Sequence, residues 1–346
     1  MSARAGLALV VAGASLLAAP LDAPRPVVAA AAIFDAFRTY TVVGLCDGEG
    51  HNDERGWAFV ISLIRDPRFT NTTIDVVTEN ANARYQPAMD RYIHGENVPY
   101  SELRHVWDDT TQAQAMGSFG EIPLIYRALR EVNASLPRAR HHRALLGDPP
   151  IEWENVHTSA EYQKWLALRD SNAAEVVERE VIARKRRALI FYGAMHLQRK
   201  QQIANYQMDN PLAQTVISLL VRTGVRPFTV TAISEQDAVK SWPAPSIARL
   251  RGTTLGAGVF PEQTQTRVSV LDGKFVQIPR EQWKTLRLED QFDAVLYLGP
   301  ASTLRYTSLS PTICSDSGYV DTHLQRMAIA ELPATELDRL KQLCAR

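Results

Sequence analysis

The 346-residue chain is 45% hydrophobic, enough apolar material for a substantial core in one large domain or two small ones. Its 38 basic and 38 acidic side chains cancel, which argues against a basic groove for nucleic acid or a polybasic membrane patch. A small molecule or peptide is the expected partner.

Arg4 precedes an apolar stretch, residues 6–19, and a Pro/Ala-rich segment, residues 20–32. This is the layout of a secretory signal, too short for an ordinary membrane span. It predicts a secreted or periplasmic protein with no stable span after processing; an uncleaved anchor or a disordered tail is the alternative. Ala29, Ala30 and Ala31 suit cleavage, and Ala19 and Ala23 compete. Residues 1–32 are therefore set apart as a leader. Residues 33–346 are expected to form a single α/β domain, with 234–346 an elaboration of unassigned role.

Short apolar runs then alternate with amphipathic stretches. Strands are predicted over residues 39–46, 74–78, 143–146, 188–192 and 228–233. Helices are predicted over 54–65, 83–94, 119–136, 161–187 and 211–222, with Thr158 and Glu161 forming a capping box. The basic run Arg184-Lys185-Arg186-Arg187 closes the fourth helix, where cations offset the dipole; phosphate binding is its alternative reading. Such alternation implies a mostly parallel central sheet flanked by helices. Beyond residue 233, Asp272-Gly273 between two apolar runs predicts a hairpin, 293–298 another strand, and 322–331 and 334–343 two terminal helices.

The first four strands each run into a polar cluster: Asp47-Gly48-Glu49-Gly50-His51, Glu79-Asn80-Ala81-Asn82, Gly147-Asp148-Pro149-Pro150 and Gly193-Ala194-Met195-His196. Ligands of open parallel sheets bind beyond the carboxyl ends of the strands, so these clusters should share one edge. Glu49 and His51 in one turn can act as base and orienting partner, or as two metal ligands, or simply as a solvated turn. His196 alone is an ordinary structural histidine; beside His51 it becomes a second base or ligand. Glu79 can hold either imidazole in its useful tautomer. Asn82 suits a helix cap, Asn80 a hydrogen-bond donor, and Arg84 an anion contact or a partner for Glu79. Arg169-Asp170 reads as mid-helix. Trp107-Asp108-Asp109-Thr110-Thr111 lies in a connection suited to a lid, or is a helix stop. His141 and His142 precede a strand and fall at the wrong edge. Cys46 reads as a small buried hydrophobe, whereas Cys314 and Cys344 can pair as a disulfide in an exported protein. Gly-x-Ser-x-Gly, His-Glu-x-x-His, P-loop and Cys-x-x-Cys-His motifs are absent from the sequence.

The two Gly-x-x-His turns, Gly48 to His51 with its embedded Glu49 and Gly193 to His196 after an apolar strand, resemble those of the Tiki/TraB superfamily. That group includes erythromycin esterases and ChaN-like haem-binding proteins. Arg169-Asp170 followed by Ala174 resembles the Arg-Asp-x-x-Met-Ala segment of the esterase and ChaN branches, with Ala173 in the Met position. The resemblance spans residues 39–233. It implies a shared α/β fold and three divergent activities: metal-dependent peptidase, histidine-assisted lactone hydrolysis without a cofactor, or haem binding. Its site residues map onto Glu49, His51 and His196, surrounded by Glu79, Arg169 and Asp170. A divalent transition metal, if present, would take Glu49, His51 and His196. The expectation is an exported hydrolase of an ester or amide; the alternative is a haem- or metal-binding protein without turnover.

Overall fold

The computed structural model describes residues 20–49, 53–114, 122–199, 214–259, 268–271, 274–277, 287–305 and 316–344. Its centre is an eight-stranded sheet in the order β1-β7-β10-β6-β2-β5-β3-β4. In chain order these are β1 (Val27–Val28), β2 (Val42–Cys46), β3 (Ile74–Asn82), β4 (Ala144–Asp148), β5 (Arg187–Tyr192), β6 (Phe228–Ala232), β7 (Ser246–Arg249) and β10 (Ala294–Tyr297). The run β10-β6-β2-β5-β3-β4 is parallel, while β7 and β1 close one edge antiparallel. The expected mostly parallel sheet flanked by helices is the fold found. β8 (Val268–Leu271) and β9 (Lys274–Gln277) form the expected hairpin.

Central strands are buried on both faces, which is why they read as nearly unbroken apolar runs. Side chains still alternate with period two. Val43, Leu45, Leu189 and Phe191 enter one core, and Val42, Cys46, Ala188, Ile190 and Tyr192 enter the other. Helices α1 (Ala29–Thr39) and α2 (Glu54–Ile64) cover the first face. Residues 169–177 and 216–222 cover the second. Burial pushes the Cys46 thiol up to about 12, as expected of a small core hydrophobe rather than a nucleophile. A third, smaller cluster seats the terminal helices Ser317–Ile329 and Ala334–Cys344 over the loop after β4, with Met327 and Leu340 beside Ile151 and Tyr162.

Residues 234–346 supply β7 and β10 to the central sheet, β10 lying within the strand expected over 293–298. Two sequence expectations change. The long fourth helix is broken at Leu168 into Ser159–Leu166 and Arg169–Val177, followed by a π-helical turn, Glu178–Ile182. The fold also begins before Ile33. Val27 and Val28 pair with β7, and Ala29, fully buried, starts the i, i+4, i+7, i+8 stripe of Ala29, Ile33, Ala36 and Phe37. A chain beginning at residue 33 is expected to melt about 5 °C below one beginning at residue 20, since it loses a strand pairing and the first turn of α1. Circular dichroism melts check this, and equal midpoints would restore the later boundary. The Cys314–Cys344 pairing and the Asp272-Gly273 turn lie outside the described residues.

Candidate active site at the carboxyl edge of the sheet

Strand order decides which turns meet. Because β6, β2, β5, β3 and β4 are parallel neighbours, their carboxyl ends bring Ser234, residues 47–49, residues 193–196, Glu79 and Asp148 to one edge.

Glu79 is the hub. It lies inside β3, four residues beyond Asp75 in a strand that runs on to Asn82, and it is buried. Its Oε1 accepts from Arg169 Nη2 at 2.5 Å and Gln112 Nε2 at 3.0 Å, with His196 Nε2 at 3.3 Å. Its Oε2 accepts the Gly193 backbone N–H at 2.7 Å. Donors from three separate segments thus satisfy a carboxylate whose burial would otherwise be costly.

His196 sits on a single 3₁₀ turn, Ala194–Leu197, that follows Gly193. Its Nδ1 lies 2.9 Å from both Asp170 oxygens. The break at Leu168 makes this possible, because it places Arg169 and Asp170 at the start of their helix rather than in its middle. A carboxylate in the first turn also suits the helix dipole. Asp170 additionally accepts the Val216 N–H at 2.7 Å, so it ties His196 to the next helix. Burial alone would lower the His196 pKa, but the Asp170 and Glu79 charges prevail and push it up to about 10. At neutral pH this residue is an imidazolium with each N–H facing a carboxylate. In that state it carries a positive charge into the site, with both ring nitrogens engaged by carboxylates.

Asp148 completes the cluster from β4. Burial pushes its carboxyl up to about 6, against the opposing pull of Arg169 and of hydrogen bonds from Thr111. Thr111 donates to it through Oγ1 at 2.5 Å and N–H at 2.7 Å, and Arg169 Nε lies 3.8 Å away. Only glycine fits at Gly147, where a Cβ would fall 1.8 Å from the Tyr192 hydroxyl. That hydroxyl, Arg169 Nε and Asn80 Oδ1 are buried without a hydrogen-bond partner among the described residues. Orphaned polar atoms beside a charged hub are where a substrate's own polar groups can be met.

Glu49 belongs to an adjoining cluster. Gly48 is in the left-handed region at φ +116°, and a Cβ there would meet Asp53 at 2.6 Å. Asp53 caps α2 and takes a bidentate hydrogen bond from Arg55, at 2.9 Å for each nitrogen. Glu49 is half-buried, accepts from Ser234 Oγ at 2.6 Å and lies 3.5 Å from Arg55. Burial raises its pKa, with Ser234 and Arg55 opposing. Asp47 and Glu79 line one small cavity together with Trp57, Asn80 and Tyr126, which links the two clusters. His51 lies outside the described residues. Among those described, no three His, Cys, Asp or Glu side chains are arranged to hold a metal ion. A metal on His196 would have to displace one of its carboxylates.

Other expected roles resolve locally. Arg84 pairs with Glu154 at 2.5 Å instead of Glu79, and Asn82 caps the following turn through the Arg84 N–H. Trp107 and Thr111 are buried; Trp153 donates to the Thr110 carbonyl and Tyr162 to that of Thr111, so residues 107–111 are an anchored wall rather than a lid. His142 is buried at the amino edge against Ile74, away from the site. In the basic run that follows the π-helical turn, the Arg186 side chain makes a bidentate ion pair with buried Asp75. Sequence reasoning noted Asp148 only as part of a strand-end cluster, and Gln112, Arg55 and Ser234 carried no local signal at all.

No family model matches the sequence, and no curated protein matches it. Solved structures do share its architecture. A protein from Bacillus cereus aligns with a TM-score of 0.50 at 9% identity, over 83% of this chain and 96% of that one. A succinoglycan biosynthesis protein aligns with a TM-score of 0.53 at 9% identity, over the same 83% and 96%. An erythromycin esterase variant in its open conformation gives 0.49 at 10% identity, over 81% and 94%. At 9% identity the first two alignments show the α/β fold and nothing more.

Proposed function

We propose that the chain is an exported hydrolase of an ester or amide, acting at the carboxyl edge of the sheet. The observation that carries this reading is the Asp170–His196–Glu79–Arg169 array: a cationic imidazole and a guanidinium held side by side on one buried carboxylate. Preorganised cations of this kind stabilise the oxyanion that develops when water attacks a carbonyl, and they do so without reorganising during the reaction. In this scheme His51 takes a proton from water as the oxygen bonds to the carbonyl carbon. Arg169, whose Nε has no hydrogen-bond partner among the described residues, faces the developing oxyanion, with the His196 charge beside it. Collapse of the intermediate breaks the bond to the leaving oxygen or nitrogen, which receives the proton from His51. Glu49, two residues before His51 in sequence, is itself held by Ser234 and Arg55. Arg4 and the apolar residues 6–19 support export.

The test uses a panel of activated esters, lactones and peptide amides. His51→Ala is expected to lower kcat/KM by about 10²–10⁴-fold, the usual worth of a positioned base. Undiminished hydrolysis of every substrate found would end this reading.

A further inference from the structure

We infer that the opposite edge of the sheet carries a binding pocket for a small phosphate-bearing molecule. The parallel topology that gathers the candidate active site also gathers the segments preceding β2, β3, β4 and β5. There they form an open concavity of about 510 Å³ lined by Phe34, Arg38, Thr72, Thr73, Lys185 and Arg187, among others. That volume lies in the range of small-ligand sites. One further lining cation, Arg186, is committed to Asp75. Lys185 and Arg187 are exposed and carry no ion pair among the described residues; Arg187 only donates through Nε to the Phe37 carbonyl. Arg38 is loosely paired with Asp35 at 3.5 Å, both side chains being largely in solvent. Three cations and two threonines thus line one concavity, residue types suited to a compact polyanion.

The backbone at Lys185 adds a separate observation. The preceding π-helical turn ends in a reciprocal pair of bonds, Arg186 N–H to the Val181 carbonyl and Lys185 N–H to the Ile182 carbonyl. This arrangement puts Lys185 in the left-handed region at φ +54°, where glycine is the usual occupant. A lysine at that position is unfavourable for folding, and it places a cation at the rim of the cavity. Asp35, paired with the lining Arg38, would repel a continuous polyanion such as nucleic acid more than a small ligand. The strands separating this pocket from the candidate active site are about 20 Å long, so the two edges can be tested independently.

Calorimetric titration of the full chain with inorganic pyrophosphate at low salt tests the assignment. One equivalent is expected to bind the unaltered protein, and the pair Lys185→Gly with Arg187→Gln is expected to weaken binding at least tenfold. Lys185→Gly alone should melt no lower than the parent, because glycine relaxes the left-handed position; weakened binding then cannot be ascribed to misfolding. Glu79→Gln should leave pyrophosphate affinity unchanged, which separates this pocket from the carboxyl edge. Absence of binding at millimolar pyrophosphate, equal affinity in the double variant, or tighter binding of a single-stranded oligonucleotide overturns the proposal.

Discussion

Glu79→Gln is expected to cost about 3 kcal/mol of stability and to lower kcat/KM by about 10²–10³-fold. The substitution preserves shape, so its effect is electrostatic. Both carboxylate oxygens accept hydrogen bonds: Oε1 from Arg169 and Gln112 with His196 alongside, and Oε2 from the Gly193 N–H. A glutamine must turn its NH₂ toward one of these sets, setting donor against donor. In either orientation Arg169 and His196 lose the negative charge between them. Asp148, 3.8 Å from Arg169, and Asp170 on His196 remain, which places the stability cost at the low end for breaking a buried pair. Denaturant unfolding gives the first quantity and steady-state hydrolysis the second. A stability change under about 1 kcal/mol would show that Glu79 does not hold the array together.

Asp170→Asn is expected to bring the titration of His196 down from near pH 10 toward neutrality. Burial depresses that pKa, and the Asp170 carboxylate is the larger of the two charges opposing it. Without that charge, Glu79 alone works against burial. Stability should follow the same groups. A histidine whose folded pKa is raised above its unfolded value near 6.5 stabilises the fold fully below that pH, and the contribution fades as pH rises through about 10. In the variant the loss moves to lower pH. If His196 acts as a cation, the alkaline limb of kcat/KM shifts with it. Nitrogen-detected NMR titration of the His196 ring, beside unfolding midpoints between pH 6 and 10.5, measures both. An unchanged His196 titration in the variant would mean that the Asp170 contact contributes no charge.

These expectations rest on features of different legibility. That the turns after β2, β3, β4 and β5 share an edge could be read from the chain, because hydrophobic period and strand–helix alternation are local signals that imply a parallel sheet. Glu79 and His196 were legible for the same reason: each stands at or just past the end of an apolar run. The part Asp170 plays was not legible. The helical pattern through residues 161–187 looked continuous, and only packing breaks it at Leu168 to turn Asp170 toward His196. Arg84 shows the converse error, since nearness in sequence favoured Glu79 while the fold supplied Glu154.

The sequence by itself thus determined the fold class and the edge of the sheet where the chemistry-bearing residues collect, since periodicity and turn chemistry act over a few residues. Tertiary structure decided the partners: Gln112 and Arg169 on Glu79, Ser234 on Glu49, Thr111 on Asp148, and the closing strands drawn from before residue 33 and after residue 245. The physical reason is that a buried charge is satisfied by whichever donors packing brings within about 3 Å, and their distance along the chain leaves no trace in local pattern.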